Sequence, residues 1–157
     1  METAFINTPI GTLRVEGSHE GVSAILFSEE TAPNPATVPE VLKEPVQQLE
    51  EYFNKTRTKF TIKLAPKGTE FQQKVWEELQ TIPFGKTTSY QQMANQLGDP
   101  KVIRAAASAN GKNPISIVIP CHRVIGSDGS LTGYAGGLHR KKWLLAHESP
   151  VTQGELF

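Results

Sequence analysis

The chain of 157 residues is long enough for one domain or two small ones, and 38% hydrophobic content suffices for a packed core. It has no apolar run near the roughly 18 residues of a membrane span, no signal-peptide pattern at METAFINTPIGTLRVEG, and one cysteine. A membrane protein, an internal disulfide and a multi-cysteine zinc site are thereby excluded, and a reducing, cytoplasmic setting is expected. Zero net charge hides a gradient, since residues 1–66 carry 6 basic against 9 acidic side chains and residues 81–147 carry 8 against 2. The basic half holds Cys121, which points to an anionic partner there.

The early segments TAFINT, GTLRVEG and GVSAILFSE are β-branched or alternating and parted by Gly, Pro and Asn, the pattern of a strand meander. A loop rich in Pro and Thr, TAPNPATVPE, follows. From Glu40 the residues Leu42, Val46, Leu49 and Phe53 fall at helical spacing, and KFTIKL predicts a returning strand. APKG reads as a linker. Beyond it Thr69 opens a capping box with Gln72, and Phe71, Val75, Trp76 and Leu79 form one apolar helix face. The expected architecture is α+β: a small α/β domain over 1–66, a mostly helical domain over 67–150 and a tail over 151–157.

Within the second domain, Ser89 and Gln92 make another capping box for a helix from Tyr90 to Leu97. Gly98 ends that helix, and Asp99 caps the next with Pro100 at its first position, where a missing N–H costs nothing. Helix, short Gly-containing turn, helix is the helix-turn-helix layout, although a plain helical hairpin has the same pattern. Major-groove readers project long polar side chains toward base edges. Here Arg104 is followed by Ala105, Ala106, Ala107, Ser108 and Ala109, a nearly bald surface. Such a surface lets a helix backbone approach another helix or a narrow groove closely. With Arg104 at its start it suits one side chain probing DNA, weakly dependent on sequence and strongly on salt.

The run Ile117–Pro120 reads as a buried strand that delivers Cys121 beside His122 and Arg123. Buried cysteines are commonly small hydrophobes. Pro120, however, fixes the chain just before this one, and positive charge from Arg123 and His122 favours thiolate, the nucleophilic form. Neighbours on a strand face opposite ways, so Cys121 and His122 cooperate only if the chain turns between them. Glu148, after Trp143, Leu144 and Leu145, supplies a carboxylate for a Cys-His-Glu relay, although helix-end glutamates are commonly exposed. Two rivals stand beside a DNA-directed thiol. A cysteine hydrolase using Cys121, His122 and Glu148 has no use for Arg104 on a bald helix, and a transcriptional regulator needs base-reading side chains that AAASA does not supply.

The stretches IPFGKTTSYQQMA, RAAASANGKNP, IPCHRVIGSDGSLTGYAGG and WLLAHE closely resemble the DNA-repair methyltransferases that act on O6 of alkylated guanine. The likeness spans residues 69 to 148, while the N-terminal part resembles in outline that family's ribonuclease H-like domain. It implies a winged-helix-like second domain and a single, irreversible transfer of an alkyl group to Cys121 from O6-alkylguanine, and from O4-alkylthymine, in flipped-out DNA. No cofactor or metal is implied. The resemblance makes Cys121 the acceptor, activated through a water by His122, with Glu148 orienting the imidazole and Asn113 holding the adjacent turn. Tyr90 donates a proton toward guanine N3, and Arg104 fills the space of the flipped nucleotide. Ala105, Ser108, Tyr90 and Arg123 are implied as further DNA contacts, with the second helix in the minor groove and the protein a monomer. Tyr134 becomes the pocket's aromatic wall beside Gly136, and the carbonyls of Cys121 and Val124 accept from the guanine amino group.

The sequence also departs from its relatives. Some carry an N-terminal zinc cluster, whereas His19 is the only histidine of that domain. Ala135 stands where some have serine, and Gly136 and Gly137 leave space near Tyr134 for groups larger than methyl. The end of the tail, with Gln153, Leu156 and Phe157, resembles the Gln-x-x-Leu-Phe peptide by which bacterial repair and replication proteins hold the sliding clamp, a second expected partner.

Overall fold

The structure, a computed structural model, describes residues 1–29, 38–131 and 133–149. Residues 31–37 of the loop rich in Pro and Thr, and the tail with Gln153, Leu156 and Phe157 of the expected clamp peptide, lie outside the described residues. Two compact units are present: Met1–Lys67 with Pro114–Ser116, and Gly68–Asn113 with Ile117–Phe157. Among the described residues no helix is long and apolar enough to cross a membrane.

In the first unit, β1 (Glu2–Thr8), β2 (Gly11–Ser18) and β3 (Gly21–Ser28) form an antiparallel meander in that order. The hairpins are tight, Thr8 pairing with Gly11 and Ser18 with Gly21. Alternation buries Ala4 and Ile6 on β1 and Leu13 and Val15 on β2. A register shift at Glu16 and Gly17 changes the phase for β3, which buries Val22 and Ile25. A short 3-10 turn, Glu40–Leu42, leads into α1 (Lys43–Phe53), whose buried face carries Val46, Leu49 and Tyr52. Tyr52 is the fully buried aromatic where the spacing pointed to Phe53, whose ring instead meets Tyr52 edge-on at 5.2 Å.

KFTIKL does not form the expected strand. It touches β3 through one parallel bridge, Val22 with Leu64, closed by Val22 N–H to the Lys63 carbonyl at 2.9 Å and Ala65 N–H to the Val22 carbonyl at 2.7 Å. Upstream, the side chain of Gln48 satisfies Thr61. Its Oε1 accepts from the Thr61 N–H and its Nε2 donates to Thr61 Oγ1, both at 2.9 Å. A side chain thus takes the place of a ladder partner. A second parallel bridge brings Ile115 to Ile25, with Ile25 N–H donating to Pro114 and Ser116 N–H to Ile25, each at 2.9 Å. The contiguous division read from the sequence did not anticipate that these three residues belong with the sheet.

The second unit begins with α2 (Glu70–Leu79), capped by the reciprocal Thr69–Gln72 box and burying Val75, Trp76 and Leu79. Next come β4 (Thr88–Ser89) and α3 (Tyr90–Gln96), which starts at the equally complete Ser89–Gln92 box. Gly98, at φ +96°, turns the chain as only glycine does without strain. Asp99 Oδ1 then accepts from the Lys101 N–H at 2.9 Å and caps a 3-10 turn, Pro100–Val102, that runs into α4 (Ile103–Gly111). Trp76 Nε1–H donates to the Ala109 carbonyl at 2.9 Å and ties α2 to α4. β5 (Val124–Ile125) and α5 (Leu138–Glu148) complete the unit.

Ile117–Pro120 is not a strand either. Ile117 has φ +74°, a left-handed conformation that costs a β-branched residue about 1–2 kcal/mol, and the chain turns through 116–118. Full burial of Ile117 and Ile119 offsets that cost. The apolar run reported burial correctly and conformation incorrectly.

Candidate active site

The approach to Cys121 is built by Pro120. Its φ of −81° and ψ of 64° make an inverse γ-turn, with Cys121 N–H donating to the Ile119 carbonyl at 2.8 Å. Asn113 Nδ2 donates to the same carbonyl at 2.8 Å and fixes the turn from the end of α4. Cys121, His122 and Arg123 then form one 3-10 turn, closed by Arg123 N–H to the Pro120 carbonyl at 3.0 Å. The chain therefore turns between the thiol and the imidazole, as their cooperation requires.

All of these groups are buried: Cys121 is 5% exposed, His122 0%, Arg123 6%, Glu148 3% and Lys141 0%. Glu148 is the last residue of α5 and turns inward. Its Oε2 lies 2.7 Å from His122 Nε2 and accepts from Arg123 Nη2 at 3.0 Å, while Oε1 accepts from Arg123 Nε at 2.7 Å. Burial pushes the Glu148 carboxyl up, but the charge and hydrogen bond of His122, then those of Arg123, outweigh it and hold the group well below the usual carboxylate range. His122 Nδ1 is buried and makes no hydrogen bond to the described residues, so the ring is held through its other nitrogen, Nε2, by Glu148.

The thiol itself is pushed up by burial, against a hydrogen bond from Asn113 and the charge of Lys141, which both lower it. Two sequence expectations are corrected here. Arg123 is not an external DNA contact: its guanidinium is spent on Glu148, on the Ile82 carbonyl at 2.7 Å and on the Phe84 ring. Nor is Arg123 among the groups that lower the thiol against its burial, which are Asn113 first and then Lys141. Sequence reading missed Lys141. Its signal was a lysine in the apolar stripe of α5, in register with Leu144, Leu145 and Glu148.

β5 pairs in parallel with β4, Thr88 opposite Val124 and Ser89 opposite Ile125. That register brings half-buried Tyr90, the first residue of α3, to the strand that leaves the cysteine turn. Just before α5, Gly137 N–H donates to the Tyr134 carbonyl at 2.9 Å, and Arg140 Nη1 donates to the Gly136 carbonyl at 3.1 Å, so the segment Tyr134–Gly137 is pinned to the start of that helix. On α4, Ala106, Ala109 and Asn110 face inward while Arg104, Ala105 and Ser108 are exposed on the other side. Among the described residues no cluster of His, Cys, Asp or Glu is arranged to hold a metal ion.

Two family models match and together span nearly the whole chain. They are the ribonuclease-like domain of 6-O-methylguanine DNA methyltransferase over residues 1–66 and its DNA binding domain over residues 70–150. The chain belongs to the 6-O-methylguanine DNA methyltransferase family. A methylated-DNA–protein-cysteine methyltransferase of Methanosarcina acetivorans is 43% identical over 94% of this chain and 98% of its own. One from Mycolicibacterium paratuberculosis is 45% identical over 94% and 92%. Among solved structures, Mycobacterium tuberculosis OGT in complex with DNA superposes with a TM-score of 0.85 at 42% identity, covering 97% of this chain and 96% of that one. The sheet-and-helix first unit and the helical second unit are therefore those of this methyltransferase family.

Proposed function

We propose that the protein repairs DNA by direct reversal, taking the alkyl group of O6-alkylguanine onto Cys121 in one irreversible turnover. The observation that carries this reading is the chain's one cysteine, set on a rigid turn beside a buried imidazole whose far nitrogen is fixed by Glu148. His122 takes the thiol proton through a water, the sulfur attacks the alkyl carbon, and a sulfur–carbon bond forms as the bond to O6 breaks. The released electron pair passes to guanine, and Tyr90 donates a proton toward N3. The product is a thioether, which water does not cleave at a useful rate, so each molecule reacts once. The carbonyls of Cys121 and Val124 accept from the guanine amino group, and Tyr134 and Gly136 line a pocket that admits O4-alkylthymine and groups larger than methyl.

A stacked base shields its O6 substituent from in-line attack, so the damaged nucleotide leaves the helix before reaction. The exposed side of α4 supports docking in the minor groove: Ala105 and Ser108 let the backbone come close, and Arg104 enters the stack to hold the flipped state. The test uses duplex DNA carrying labelled methyl on guanine O6. Label is expected on Cys121 at one per protein molecule. Arg104→Ala is expected to slow transfer from duplex on the order of 10- to 100-fold, since unstacking costs a few kcal/mol, and to leave attack on free O6-methylguanine unchanged. Equal losses on both substrates would give Arg104 another role.

The reading extends to a monomer acting in the cytoplasm, with Gln153, Leu156 and Phe157 engaging a sliding clamp. The spacing of those tail residues supports the last point. Deleting residues 153–157 is expected to leave transfer to a short duplex intact and to remove binding to purified clamp. Absence of binding by the full-length chain at tens of micromolar would reject it.

A further inference from the structure

We propose that Arg123 is a positioning residue for proton donation: its buried guanidinium ties the segment that delivers Tyr90 to the carboxylate that holds His122. The proposal deepens the reading of Cys121 as alkyl acceptor and Tyr90 as proton donor, and rests on it. The guanidinium reaches three groups at once. Nε and Nη2 donate to the two oxygens of Glu148 at 2.7 and 3.0 Å, and Nη1 donates to the Ile82 carbonyl at 2.7 Å. Its central carbon lies over the Phe84 ring, 5.9 Å from the centroid. Glu148 Oε2, which accepts from Nη2, also lies 2.7 Å from His122 Nε2. One side of the guanidinium therefore meets the base of the transfer, and the other meets the chain that leads to Tyr90.

That chain is short and held at both ends. After Ile82 it turns at Pro83–Lys86, closed by Lys86 N–H to the Pro83 carbonyl at 3.1 Å with Gly85 at φ +80°. It then enters Thr88–Ser89, paired with Val124 and Ile125, and Ser89 caps the helix of which Tyr90 is the first residue. Arg123 and Val124 are neighbours, so two consecutive residues of the segment that carries Cys121 hold both ends of the segment that delivers Tyr90. The far end is set by backbone pairing, whereas the near end depends on the Arg123 side chain. A planar guanidinium suits that task, since it donates in several directions from a rigid fork and lies against an aromatic face. An ammonium serves fewer partners. Thiol activation and guanine protonation share one bound geometry, and an error of about 1 Å in such a geometry costs on the order of 10²-fold. Arg123 keeps the acid and the base of the transfer in one register.

The decisive experiment compares two reactions of Cys121 in the native chain, in Arg123→Lys and in Phe84→Leu. Methyl methanethiosulfonate tests the thiol and its relay alone, because the thiolate displaces a sulfinate that leaves without an acid. Single-turnover transfer from O6-methylguanine duplex needs the relay and the proton donor together. Arg123→Lys keeps a cation beside Glu148 and gives up the reach to Ile82. It is expected to react with the thiosulfonate within about threefold of the native rate, and to accept methyl from duplex roughly tenfold more slowly. Phe84→Leu removes no hydrogen bond of the relay and covers the case in which Arg123→Lys does not fold. It is expected to show the same split at about threefold, the size of one cation–ring contact. In a Tyr90→Phe background, Arg123→Lys should cost less than about twofold, because the donor it positions is gone. Equal losses in the two reactions, or an undiminished loss in the Tyr90→Phe background, overturn the proposal. If the native protein takes no methyl group from DNA, the repair reading fails separately. The ring resonances of Tyr90 then decide the role of Arg123: they are expected to move in Arg123→Lys while those of Tyr52 stay, and no movement overturns it.

Discussion

Cys121→Ala is expected to accept no label from O6-methylguanine DNA at any time or protein concentration, and to bind the same duplex within about twofold of the native affinity. The two outcomes separate because they rest on different elements. Bond formation needs a sulfur, and the chain has no second one in a cysteine. In the proposed docking, binding rests on the exposed side of α4, on Arg104 and on phosphate contacts, whereas the thiol is buried. The substitution removes one small buried side chain, a loss of about 1 kcal/mol, so the fold survives. The variant should therefore hold alkylated DNA without repairing it, measured by gel shift beside label transfer. Label on the variant protein would remove Cys121 from its role. Loss of both binding and transfer would instead show that the thiol helps to organise the DNA-binding surface.

The sequence revealed different parts of this molecule for different physical reasons. Capping boxes are local, because Thr69 and Gln72, or Ser89 and Gln92, need only each other and the backbone between them, and both formed as read. The meander was equally local, its alternation and tight turns lying within a few residues. What escaped depended on partners distant in sequence. KFTIKL alternates like a strand, yet Gln48 of α1 took one of its hydrogen bonds. Ile117–Pro120 is apolar like a strand, yet Pro114 and Ser116 had already bonded to Ile25, after which the chain turned at Ile117. Within the site, Cys121, His122 and Glu148 could be named from residue types. The fate of Arg123 could not, because nothing local says that a guanidinium beside a nucleophile will be consumed by a carboxylate from α5. Lys141 was hidden for the same reason. On a helix rich in basic residues, only the register with Leu144 and Leu145 tells a buried lysine from a solvated one.

Glu148→Gln is expected to be the most destabilising of the conservative changes at the site and to alter the acid limb of the stability profile. The carboxylate side chain is 1% exposed and joins a 0% exposed imidazole and an 8% exposed guanidinium. Removing its charge leaves the Arg123 guanidinium buried without a counter-ion, and breaking such a pair costs about 3–5 kcal/mol, a large share of a typical total of 5–15. The melting temperature should fall by about 10 °C. Transfer should slow by roughly 10²-fold, because an amide holds the imidazole but does not stabilise its protonated form. The sign of the pH effect follows from the direction of the shift. Folding holds the Glu148 carboxyl below its unfolded value near 4.5, so its stabilisation is complete above about pH 4.5 and is lost as the pH falls through the folded value. Urea unfolding between pH 7 and pH 3 should show native stability dropping on the acid side, with a shallower drop in Glu148→Gln, whose amide does not titrate. The gap between the two proteins should therefore narrow as acid is added. A constant gap down to pH 3 would mean that the loss comes from packing at Glu148 and not from its charge.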